Sequence, residues 1–134
     1  MTNLNFTMSE LLKSDTAIKY NIPNTPDTKS LDNLLNLIVY CLQPIREYLG
    51  KPMVISSGYR SARINQLVHG VSNSQHTLGQ AADFVVSGES VASVIFKIQK
   101  SGIEYDQIIN EYNRWVHISY NKGHNRKQYI QLTP

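Results

Sequence analysis

The stretch Tyr105-Asp-Gln-Ile-Ile-Asn-Glu-Tyr-Asn-Arg-Trp-Val-His-Ile-Ser-Tyr120 decides the fold class, because its pattern predicts two strands joined by a short turn. Tyr105 to Glu111 and Trp115 to Tyr120 are rich in β-branched and aromatic residues, and the turn between them is Tyr112-Asn-Arg114. Similar patterns predict strands at 52–57 and 81–86 and a last one at 128–132. The second half of the chain is therefore predicted to form a sheet.

Helical periodicity dominates the first half of the chain. Apolar residues recur at steps of three and four between Thr28 and Tyr48, which predicts one long core helix that Gly50 ends and Pro44 kinks or breaks. Shorter helices are predicted at 61–69 and 89–100, and 71–80 is predicted to be a loop. Helices followed by a meander predict an α+β fold, with helices packed on a small, mainly antiparallel sheet.

The length of 134 residues suits one domain, 1–134, with a single hydrophobic core. The segment Asn21-Ile-Pro-Asn-Thr-Pro-Asp27 interrupts regular structure and separates an N-terminal arm, 1–27, that we expect to pack on the body. Within the arm, Ser9 is predicted to cap one short helix, and Ser14 or Asp15 a second one.

Composition excludes several classes of protein. The formal charge of +3 is spread along the chain, so no basic patch argues for nucleic-acid binding. No apolar stretch approaches the roughly 20 residues that a bilayer requires, and Met1 to Glu10 lacks the pattern of a signal peptide. The single cysteine, Cys41, lies in an apolar run and is expected in the core.

Two of the four histidines lie in segments that could bring them, together with an aspartate, to one metal site. His76 and Asp83 belong to Ser74-Gln-His76-Thr-Leu-Gly79-Gln-Ala-Ala-Asp83, and His117 lies in a later strand. Two imidazoles and a carboxylate suit Zn²⁺, and three protein ligands leave a fourth position open for water, as catalytic zinc sites do. The spacing alone leaves open the alternative that these are hydrogen-bonded polar residues without a metal.

The chain resembles the M15 family of zinc D-Ala-D-Ala carboxypeptidases and murein endopeptidases, especially its small phage-type members. The matching positions are Ser56-Ser-Gly-Tyr-Arg-Ser61, Asn65, Gly70, Ser74, His76, Gly79, Ala81, Asp83 and Trp115-Val-His117, within about 31–119. The resemblance implies one zinc ion per chain on His76, Asp83 and His117, and a fold shared with the hedgehog signalling domain. It also implies hydrolysis of peptidoglycan stem peptides. Whether the bond is D-Ala-D-Ala, an internal cross-link or L-Ala-D-Glu stays open.

Three further residues are candidates for substrate binding. In similar enzymes the arginine at the position of Arg60 lies beside the metal and holds a substrate carboxylate or the developing oxyanion. The alternative is that Arg60 only ties its turn to a nearby Asp or carbonyl. Ser74 is expected to orient the ligand loop rather than act as a nucleophile. Trp115 shares the face of His117 by alternation and could wall the substrate pocket.

The general base is assigned from the strand register together with the resemblance. Many relatives carry an acid three residues before the last histidine ligand, whereas this chain has Arg114 there. If Tyr112-Asn-Arg114 is a three-residue loop, Glu111 opposes Trp115 and shares the face of His117, whereas a two-residue loop would turn Glu111 away. Small relatives resemble this chain in having a Glu before the turn, so we assign Glu111 as the catalytic base.

The departure at Arg114 supports an alternative of a different class: a structural or wall-binding module that keeps zinc without peptidase activity. For the enzyme, analogy suggests phage lysis. The expected route is synthesis in the cytoplasm without a signal peptide, then action on the cell wall after lysis, through export by another factor, or as a virion component. The sequence does not determine the oligomeric state.

Overall fold

A five-stranded sheet in the order β1-β2-β4-β3-β5 forms the body of the protein. In the computed structural model, which describes residues 4–133, its strands are β1 Met53–Ser57, β2 Ala81–Val86, β3 Gln107–Glu111, β4 Trp115–Ser119 and β5 Gln128–Leu132. All neighbouring pairs are antiparallel except β5, which runs parallel to β3. The predicted α+β class with a mainly antiparallel sheet is confirmed.

Alternation along the strands separates a core face from an open face. Ala82, Phe84, Ile108, Val116 and Ile118 are buried and join one hydrophobic cluster with helix residues. The residues between them point to the other face of the sheet, since successive side chains of a strand alternate. Burial of the first set fixes the strand register and so decides which polar residues share the open face.

Six α-helices are described: α1 Met8–Leu12, α2 Asp15–Tyr20, α3 Thr28–Leu37, α4 Gln43–Leu49, α5 Ala62–Leu67 and α6 Val91–Ser101. The predicted long helix is divided, because a π-helical segment, Ile38–Leu42, lies between α3 and α4. There the N–H of Gln43 donates to the carbonyl of Ile38, five residues back. Pro44 lacks an N–H and its ring clashes with a regular preceding turn, so a wider turn before it relieves both problems. None of the helices between residues 4 and 133 is long and apolar enough to cross a membrane.

The predicted cap of the first helix is wrong. Thr7, not Ser9, caps α1, because Thr7 and Glu10 form a reciprocal capping box. Ser14 caps α2, which settles the choice between Ser14 and Asp15. The segment predicted as a loop contains a 3₁₀ helix, Gln75–Leu78, that Ser74 caps.

The arm is bonded to the turn that follows β1; its residues 1–3 lie outside the described range. Leu11 is buried in the core cluster, and its carbonyl accepts from the N–H of Tyr59 at 2.7 Å. The Asn24 amide donates to the carbonyls of Leu12 and Tyr59, and its oxygen accepts from the N–H of Ser61. The arm therefore holds the turn at 58–61 in place.

Candidate metal centre and cleft

Three potential ligands converge on the open face of the sheet. Asp83 on β2 lies directly opposite His117 on β4, so their side chains share a face. His76 enters from the 3₁₀ helix. One ligand atom from each residue lies within 4.8 Å of the others. Asp83 Oδ1 is 2.9 Å from His117 Nδ1 and 3.3 Å from His76 Nε2.

The orientation of His76 is fixed by its surroundings. The residue is 2% exposed, and its Nδ1 lies 2.7 Å from the carbonyl oxygen of Gly58. Because a carbonyl only accepts, Nδ1 carries a hydrogen, and Nε2 is the ring nitrogen that faces Asp83. The Ser74 hydroxyl accepts from the backbone N–H of His76 at 3.2 Å, which is the orienting contact predicted for Ser74.

Asp83 is held as a carboxylate. Burial alone would raise its pKa, but hydrogen bonds from His117 and His76 and their charges lower it well below the ordinary range. The site thus offers two imidazole nitrogens and one carboxylate oxygen, the donor set of three-ligand zinc sites. The outward Nδ1 bond of His76 to Gly58 is the kind of supporting contact that such sites use. The residues present therefore fit a zinc ion.

A cleft of about 780 Å³ surrounds these ligands. Its floor includes the alternate residues of β3, Gln107, Ile109 and Glu111. Glu111 pairs with Trp115 and Ile109 with His117, so the three-residue loop register predicted from the sequence is confirmed. Glu111 consequently lies in the same cleft as the three ligands.

Glu111 has the environment of a group that can exchange a proton. Burial and the charge of Asp83 raise its pKa above the ordinary glutamate value, while His117, His76 and Arg60 act in the opposite direction. A raised carboxyl pKa brings the group closer to neutral pH, where a base that later acts as an acid is most effective.

Arg60 lines the cleft on the side of the arm. Its backbone N–H donates to the carbonyl of His76 at 3.1 Å, so the turn and the ligand loop support each other. Burial lowers the pKa of the Arg60 guanidinium, and the charges of Asp83 and Glu111 oppose that shift. Its Nε is buried without a hydrogen-bond partner among the described residues, which argues against an arginine that only ties its turn.

Trp115 also lines the cleft, and its buried Nε1 has no acceptor among residues 4–133.

Arg114, at the position where many relatives carry an acid, is exposed and lines a separate groove with Val85 and Glu89. The three-residue loop thus places Glu111 in the cleft and lets Arg114 line a different groove.

Sequence reasoning missed a polar cluster formed by Gln75, Asp106 and Arg126. Asp106 is 1% exposed, and both of its oxygens accept bonds from Arg126. Gln75, next to His76, donates to Asp106 Oδ2 at 2.8 Å. Arg126 and Gln75 both line the cleft. No local signal in the sequence pairs Asp106 with a residue 20 positions later.

Comparison with known families places the site within a recognised family. The model of the family described as Peptidase M15 matches residues 4–119, which is most of the chain and includes the three candidate ligands and Glu111. A search of curated proteins found no match.

Proposed function

The chain belongs to the M15 peptidase family, and from this premise we propose that it is a zinc-dependent peptidase that hydrolyses peptidoglycan stem peptides. The bond would be at a D-Ala terminus, in a cross-link, or between L-Ala and D-Glu. The observation that carries the proposal is the placement of Glu111 in one cleft with His76, Asp83 and His117. A metallopeptidase needs a proton-transfer group beside its metal ligands, and the register of β3 and β4, which puts the Glu111 carboxyl in the cleft, supports that role.

His76 Nε2, Asp83 and His117 would hold the ion. Zinc bound there would supply a Lewis acid that activates water and polarises the peptide carbonyl. Glu111 would take a proton from the attacking water and later deliver it to the leaving amine. The Arg60 guanidinium would hold a substrate carboxylate or the negative charge that develops on the carbonyl oxygen.

A second candidate function is a zinc-binding module without peptidase activity. Arg114 favours it, because the acid that many relatives carry three residues before the last histidine is missing. The position of Glu111 in the cleft favours the enzyme instead.

The test measures bound zinc by elemental analysis and hydrolysis of purified peptidoglycan, for wild type, Glu111→Gln and the control Glu104→Gln. Glu104 is an exposed glutamate paired with Lys127, so the control makes the same charge change outside the cleft. We expect one zinc per chain in all three proteins. Activity should fall by about 10²–10⁴-fold in Glu111→Gln alone, the usual contribution of a general base.

The products identify the bond, since free D-Ala marks a carboxypeptidase and new amino termini mark an endopeptidase. Zinc in all three proteins with hydrolysis in none would favour the module. A wild-type protein purified without zinc and unable to bind it would refute both candidates.

A further inference from the structure

Arg126 stands at one end of the cleft floor. β5 runs parallel to β3 with Gln128 opposite Gln107, so Arg126 lies just before the start of β3, and Glu111 lies at its other end. Ile109, in the middle of β3, opposes His117. Arg126 lies beyond residues 4–119, which match the family model, so it belongs to a segment outside that match.

Three hydrogen bonds to the buried Asp106 carboxylate fix the orientation of Arg126. Its backbone N–H and Nε donate to Asp106 Oδ1, and Nη2 donates to Asp106 Oδ2 at 2.8 Å. The Gln75 amide fills a further acceptor position of the same buried carboxylate. These bonds use one edge of the guanidinium, while the Arg126 side chain remains 56% exposed. The Nη1 edge, which takes part in none of these bonds, is thus available to a ligand in a fixed orientation.

The distance along the floor defines where that ligand sits. A strand rises about 3.3 Å per residue, and Asp106, whose carboxylate binds Arg126, is three residues before Ile109, so Arg126 is on the order of 10 Å along the floor from Ile109 and from the proposed metal ligand that it opposes. An extended peptide bound along β3 would cover that distance with about three residues. A planar carboxylate is the group that the free edge of an arginine binds best.

We propose that Arg126 binds a carboxylate of the substrate about three residues from the bond that is cut. This role for Arg126 rests on the proposed peptidase function and specifies its substrate. The preferred substrate is a stem peptide with a free carboxylate at that distance. Asp106 and Gln75 act as positioning residues for Arg126 and for the loop that carries His76.

The test compares two peptides and three proteins. One peptide is the stem peptide whose bond is cut, and the other is a copy in which every carboxyl group beyond the residues flanking that bond is amidated. The proteins are wild type, Arg126→Gln and the control Lys127→Gln. Lys127 makes the same charge change one position along, and its Nζ lies 3.9 Å from Glu104 Oε1. Hydrolysis is measured, and binding is titrated with each protein carrying Glu111→Gln so that the peptides persist.

We expect wild type and Lys127→Gln to prefer the free-acid peptide about tenfold in kcat/KM and in Kd, as one charge-assisted contact at an exposed rim allows. Arg126→Gln should lose this preference by weakening only toward the acid peptide. Equal treatment of the two peptides by wild type would overturn the proposal, as would an Arg126→Gln variant that weakens equally toward both. Preferential binding of the free-acid peptide without any hydrolysis would support the carboxylate site while refuting the peptidase. Hydrolysis of both peptides at equal rates would support the peptidase while refuting the carboxylate site.

Discussion

Replacing Gly58 by alanine tests whether the N-terminal arm supports the proposed metal site. A Cβ at this position would lie 2.3 Å from the carbonyl oxygen and 2.9 Å from the Cα of Leu11. Both are backbone atoms, so no side-chain rotation relieves the clash, and the arm or the turn must move. The same glycine provides the carbonyl that accepts from His76 Nδ1. Any shift of the turn therefore reaches His76, a proposed metal ligand, directly.

The expected cost follows from these two contacts. Overpacking costs about 1–3 kcal/mol, and a weakened hydrogen bond adds about 1 kcal/mol. For 134 residues the entropy of unfolding is roughly 0.28 kcal/mol per kelvin, so about 2–4 kcal/mol lowers Tm by roughly 7–14 °C. Loss of a supporting contact to a ligand weakens metal affinity by about 10–100-fold.

Thermal unfolding and chelator competition for zinc measure the two effects. Gly88→Ala is the matched control, because Gly88 has φ +82° and nothing within 4 Å of an added Cβ. Gly88→Ala should lower the free energy of unfolding by about 1–2 kcal/mol, because its backbone is left-handed, and should keep its zinc affinity. If Gly58→Ala melts like wild type, or melts earlier with unchanged zinc affinity, the arm does not support the site as argued.

Two further predictions concern buried polar groups. The bonds from Arg126 hold the pKa of Asp106 below its ordinary value, so its charge stabilises the fold above about pH 4, and this contribution disappears as pH falls through the lowered pKa. Asp106→Asn should cost about 2 kcal/mol in urea unfolding at pH 7, with a smaller difference from wild type near pH 3; an equal difference at both would exclude the charge as the cause. Cys41 is fully buried, and burial raises its pKa, so it should react with a disulfide reagent only as the chain unfolds. Immediate modification of the native protein would contradict the packing of α3 and α4.

Patterns that depend on neighbouring residues predicted much of the fold and of the site. The alternation around Tyr112-Asn-Arg114 left two registers, the resemblance favoured the three-residue loop that puts Glu111 and His117 on one face, and the structure has that register. The spacing of His76 and Asp83 was weak evidence by itself, and the motif resemblance added the specificity.

Features that depend on distant contacts were not predictable. Asp106 and Arg126 meet only because β5 returns parallel to β3, and a short strand carries no signal for its partner. The π-helical segment before Pro44 is one of several ways to accommodate a proline, and tertiary packing decides among them. Thr7 and Ser9 are both acceptable helix caps. Thr7 is the cap in the structure because the Glu10 side chain accepts a hydrogen bond from its backbone N–H.

The position of β5 has a consequence for how such a protein can diversify. β5 forms the edge of the sheet beside β3, whereas Asp83, His117 and Glu111 lie on β2, β4 and β3, whose mutual pairing does not involve it. Changes in the sequence of β5 therefore leave the pairing of β2 with β4 and of β4 with β3 in place. Evolution, or an engineer, could graft a different ending onto this sheet and alter which molecules it accepts while the inherited chemistry stays constant.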